Sequence, residues 1–216
     1  MAVSDPNRRC FRDPIPEIFE AAEYLDAAAD AFLRGDMART AHLIRKADMP
    51  EIREWTESLW GKNSPYVHVR KIPNARPYLP KAQRVTTRMP STKEKKLLLQ
   101  RDGFHCRFCG APVIRREVRV FLHKLFPEAL PWGSKNIEQH AAFQAMWVQY
   151  DHIVPHARGG DNDLNNLVIT CAPCNYGRMN YLLEEVGLDD PLKYAPIQDD
   201  WDGLERVLGE KGWIFY

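Results

Sequence analysis

The 216-residue chain holds no uninterrupted apolar run approaching the ~20 residues that cross a bilayer, which excludes a helical membrane span. Its first ten residues, MAVSDPNRRC, lack the apolar stretch of a secretory signal. Charge of one sign is not in excess either, with 30 Lys and Arg against 29 Asp and Glu, so the overall balance names no partner. Cysteine is scarce, five in all, and four of them form two Cys-x-x-Cys pairs. Without a signal such pairs read as metal ligands rather than disulfides, and the expected compartment is cytoplasmic. The segment FLRGDMARTAHLIRKA has no second copy at a 34-residue period, so a helical repeat array is excluded too. What is present is 44% apolar and 27% charged, the mix of a globular chain that buries a core.

The charges are segregated. Residues 1–60 hold eight basic and twelve acidic side chains, residues 62–101 eleven basic against Glu94 alone, and residues 102–216 eleven basic and sixteen acidic. A basic middle between acidic ends is the footprint of polyanion binding, and equally of a solvated, positively charged linker.

Along residues 1–61, Ile15, Ile18, Phe19, Ala22, Leu25, Ala29 and Phe32 recur at helical steps. Gly35-Asp36 stops one helix and caps the next, and Pro50 opens a third that runs to Trp60. This predicts a small helical N-terminal domain for packing or partner contact. Residues 62–91 carry five prolines among basic side chains, which predicts an extended arm or linker. Structure resumes at STKEKKLLLQRDG, where Ser91 and Glu94 form a capping box and Gly103 follows the helix.

Cys106/Cys109 and Cys171/Cys174 each supply half of a tetrahedral Zn²⁺ shell, although 61 residues separate the pairs, against ~15–20 in a compact zinc ribbon. Four thiolates leave no open position, so this zinc would be structural. Cys10 reads as a free thiol. Between the pairs, VQYDHIVP and NLVIT read as strands, HARGGDNDLN as a loop, and a helix is predicted from Cys174 through YLLEEV to Gly187. Strand, loop, strand and helix bring Asp151, His152, Asn166 and Asn175 together.

RDGFHCRFCG, DHIVPHARGG, NNLVITCAPCN and the following helix resemble the HNH endonuclease family over about residues 92–187. The resemblance implies an α+β chain with a ββα-metal (His-Me finger) core. By that resemblance His152 is the general base, Asp151 and Asn175 hold a catalytic Mg²⁺ or Mn²⁺, and Asn166 holds the loop and so orients His152. It implies cleavage of DNA to 5′-phosphate and 3′-hydroxyl ends. Arg158 and Arg178 border this site as candidate phosphate clamps, and Lys93, Lys95 and Lys96 are candidate DNA contacts. His156 reads as solvated, His105 as packing.

The chain departs from the compact family pattern at one place, the 42 residues from Cys109 to Asp151. The inserted helical segment at about 115–147 shapes a groove, supports the N-terminal helices or mediates assembly. These two regions are the candidate surfaces for a homodimer or protein partner. Residues 188–216 form an acidic extension, with Trp201, Leu204, Val207 and Leu208 expected to pack on the core. A non-catalytic, zinc-stapled nucleic-acid-binding module is the alternative reading.

Overall fold

The computed structural model describes residues 8–61 and 63–213; Lys62, counted above in the basic segment, lies outside them. Three helices open the chain: α1 (Pro16–Leu33), α2 (Met37–Lys46) and α3 (Pro50–Ser58). Proline begins α1 and α3, where its missing N–H costs nothing. Asp36 caps α2 by accepting from the Arg39 N–H at 3.0 Å. The stripe predicted for α1 is largely the buried one, with Ile18, Ala22, Leu25 and Ala29 inside and Phe19 outside.

These helices do not stand apart from the rest. One buried cluster runs from Ile18, Ile44 and Trp55 through Leu98 and Phe143 to Val168 and Ile169. The insertion supplies α5 (Arg116–Leu125) and α6 (Ala141–Ala145). The fully buried His140 caps α6 and places its Nε2 2.8 Å from the Ile44 carbonyl. Arg53 of α3 donates to the Asn136 and Gln139 carbonyls, and the Ala141 N–H donates to Asp48. Of the roles open to the insertion, support of the N-terminal helices is therefore the one the packing displays.

The strands are short. β1 (Gln149–His152) pairs antiparallel with β2 (Leu167–Thr170), Asp151 opposite Val168 and His152 opposite Leu167. Helix α4 (Thr92–Asp102) starts at the predicted capping box, with Ser91 and Glu94 bonded reciprocally. Its last residue, the fully buried Asp102, accepts both Arg101 guanidinium arms at 2.8 Å and the Ile169 N–H at 3.0 Å. Arg101 also donates to the Leu164 and Leu167 carbonyls. This pair bolts α4 to β2 and to the loop before it.

Helix α7 (Ala172–Arg178) follows β2 at once, but the single helix predicted to Gly187 is broken. Met179 takes φ 53°, and α8 (Leu183–Val186) resumes after a turn. The cause is Arg178, whose buried guanidinium takes the Tyr181 carbonyl as well as partners on β1, so the chain wraps around it. The basic arm is without helix or strand apart from a short 3-10 turn at Lys81–Gln83, and it lies along this unit. The Arg70 N–H donates to Glu185 O at 2.6 Å and the Leu79 N–H to Ala157 O at 2.9 Å. In the C-terminal extension Leu204 and Val207 are buried and Trp201 and Leu208 half-buried, as expected. Among the described residues no helix is long and apolar enough to cross a membrane.

Candidate active site and metal centre

The thiols of Cys106, Cys109, Cys171 and Cys174 lie within 4.8 Å of one another, with Cys109 and Cys171 Sγ 3.7 Å apart. A tetrahedron with Zn–S near 2.3 Å has S···S edges of about 3.8 Å, so the four sulfurs fit zinc. The first pair sits on a tight turn in which Gly110, at φ 78°, donates to Cys106 O. The second pair straddles the start of α7. The Arg107 N–H donates to Ile169 O at 2.9 Å, fastening the first turn to β2. His105 stays outside the shell, 3.5 Å from the Asp199 carboxylate.

At the far end of β1 a cleft of about 90 Å³ is lined by Arg88, Gln149, Asp151, His152, Asn175 and Asn180 among others. It is smaller than the neighbouring cleft of about 200 Å³ against Trp147 and Tyr150, and its interest lies in its chemistry. The paired strand sets His152 at its mouth, 7% exposed. The Nε2 of His152 is 2.9 Å from Asn162 Oδ1, and its ring centre is 6.1 Å from that of His156. Burial lowers the His152 pKa; the Asn162 hydrogen bond and the Asp151 carboxylate act the other way. An imidazole so placed is neutral at neutral pH and can accept a proton.

Asn166 ties the loop that returns to β2. Its Oδ1 accepts from the Val154 N–H at 2.8 Å, and its Nδ2 donates to the Val154 and Asp161 carbonyls at 3.2 and 2.9 Å. Asn175, on the first turns of α7, donates to Gln149 Oε1 at 3.4 Å, and its amide oxygen has no hydrogen-bond donor among the described residues. Asp151 and Asn175 thus offer hard oxygen donors on one cleft.

Both arginines are buried and paired with carboxylates. Arg178, 1% exposed, holds Asp151 through both its Nε, at 2.7 Å, and its Nη2, and also binds His152 O. Arg158, 6% exposed, holds Glu185 at 2.7 and 2.8 Å and stacks over Tyr78 at 3.8 Å. Each guanidinium is thus committed to a buried carboxylate, and breaking either pair would leave an uncompensated buried charge. His156, expected in solvent, is half-buried with Nε2 2.7 Å from Val85 O. Lys93 and Lys96 are exposed, and Lys95 lies over the Tyr150 ring at 5.5 Å.

Gln149, which lines the cleft, and Asn162, which bonds to His152, were not singled out from the sequence. Gln149 shares a strand face with Asp151 by the two-residue period, which is a signal that could have found it. Asn162 sits in a turn-rich loop where asparagine is common for backbone reasons, and only the fold brings it to His152.

The structure is that of an α+β chain with a four-cysteine cluster able to hold a metal and a polar cleft lined by an imidazole, a carboxylate and an amide. Residues 141–187 match the family model of the HNH endonucleases. The match spans Asp151, His152, Asn166, Asn175 and the second cysteine pair, and begins after the first pair. No curated protein and no solved structure matches the chain.

Proposed function

We propose that the protein is a metal-dependent endonuclease that hydrolyses DNA phosphodiester bonds through a ββα-metal site. The observation that carries this reading is that His152, Asp151 and Asn175 line one cleft. His152, neutral because it is buried, takes a proton from water at Nδ1 while Nε2 stays hydrogen-bonded to Asn162. The hydroxide attacks phosphorus opposite the 3′-oxygen, whose departure leaves 5′-phosphate and 3′-hydroxyl ends. Asp151 and Asn175 would hold the cation. A carboxylate has about four lone-pair sites, so the two Arg178 N–H groups leave room for it. Oxygen donors suit Mg²⁺ or Mn²⁺. A divalent cation held there would supply positive charge beside the reacting phosphate. Because Arg178 already neutralises Asp151, cation affinity is expected to depend on the substrate phosphate.

Supercoiled-plasmid cleavage in Mg²⁺ and Mn²⁺ tests the proposal. Wild type should cut, EDTA should stop it, and His152→Ala should lower the rate by roughly 10²–10⁴-fold, the contribution of a general base. A folded, zinc-loaded wild type that binds but never cuts plasmid, linear or single-stranded DNA would sink it in favour of the binding module.

A further inference from the structure

Asn162 touches more than His152. Its Nδ2 donates to the backbone carbonyls of Thr87 at 3.1 Å and Met89 at 3.2 Å, both on the basic arm. Carbonyls only accept, so this end of the amide must be the NH₂ group. The other end, facing His152 at 2.9 Å, is then the oxygen. An amide oxygen also only accepts, so Nε2 of His152 carries a proton, and the neutral imidazole then presents a lone pair at Nδ1. His156 binds the same arm segment, through Val85 O.

Resting on the nuclease reading above, we infer that Asn162 is a positioning residue that fixes the reactive tautomer of His152, and that arm residues 87–89 complete the catalytic base by fixing Asn162. The arm is thus part of the active site as well as a collector of phosphate. Arg88, between the two carbonyls, lines the catalytic cleft, so DNA drawn to the arm arrives where the base is set.

The test uses full-length, zinc-loaded protein with Asn162→Ala and Asn162→Asp. Imidazole ¹⁵N shifts at one fixed pH, without DNA or added Mg²⁺, report the tautomer directly. Wild type should show His152 with Nε2 protonated, and Asn162→Ala a mixture. Asn162→Asp keeps an oxygen for Nε2–H but repels the Thr87 and Met89 carbonyls. It should therefore keep the tautomer while amide exchange of residues 84–90 rises. In plasmid cleavage Asn162→Ala should lose kcat by about 10- to 100-fold, part of what a misplaced base costs, with KM changed less than about twofold. Adding His152→Ala should then cost no more than His152→Ala alone. An unchanged tautomer in Asn162→Ala, or an unchanged kcat, overturns the inference. If the wild type fails to cut, the nuclease reading falls while the ¹⁵N result still decides the tautomer.

Discussion

Gly160 shows how little freedom the loop between β1 and β2 has. A Cβ on it would overlap the Val154 carbonyl oxygen and come within 2.8 Å of Asn166 Nδ2. Both atoms belong to the contact by which Asn166 holds the loop, so neither can give way without releasing Val154 and, through it, the neighbouring His152. Gly160→Ala should destabilise the protein by roughly 1–3 kcal/mol, the range for overpacking, read from urea melts of the zinc-loaded form. It should also slow cleavage. A mutant as stable as wild type would mean that Asn166 does not clamp Val154. At this scale the types of the site residues were legible, because Asp151, His152, Asn166 and Asn175 stand in a motif. Their partners were not. Arg158 and Arg178 stand beside the motif as phosphate ligands would, and only burial reveals that each serves a carboxylate.

Among elements, local chemistry was readable and long-range consequence was not. The capping box of α4, the Pro50 start of α3 and both strands depend on residues within a few positions of one another. The break at Met179 depends on Arg178 reaching β1, 27 residues back in the chain, and no periodicity records that. The zinc pairing falls between these cases. Each Cys-x-x-Cys is local, while their meeting across 61 residues follows from β2 delivering one pair beside the other. Metal binding worth about 10–16 kcal/mol is comparable to the ~5–15 kcal/mol stability of a domain. Exhaustive chelation should therefore remove the cooperative thermal transition, and Zn²⁺ should restore it. Metal analysis should find one zinc per chain, and Cys171→Ser should retain none. A chelated protein that melts like the untreated one would show the centre to be dispensable.

For the molecule as a whole, the segregation of charge noted in the sequence acquires a place. The arm runs over the unit that carries His152, and Arg70, Lys71, Arg76, Lys81 and Arg88 remain exposed along it. Lys81, Arg84 and Arg88 also border another cleft, of about 520 Å³, which shares His156 and Asn180 with the one at His152. A duplex engaging about six of the basic side chains would give log K a slope near −5 against log salt, since each phosphate neutralised contributes about −0.9. The measurement is best made on His152→Ala, so that binding is not confounded by cutting. Lys81→Gln with Arg88→Gln should remove two contacts and flatten the slope by about 1.8. Lys93→Gln with Lys96→Gln, on α4, gives the comparison that locates the path. An equal loss there extends the path to α4, whereas no loss confines it to the arm and the clefts beneath. A slope that both double mutants leave unchanged would return the basic segment to the role of a solvated linker.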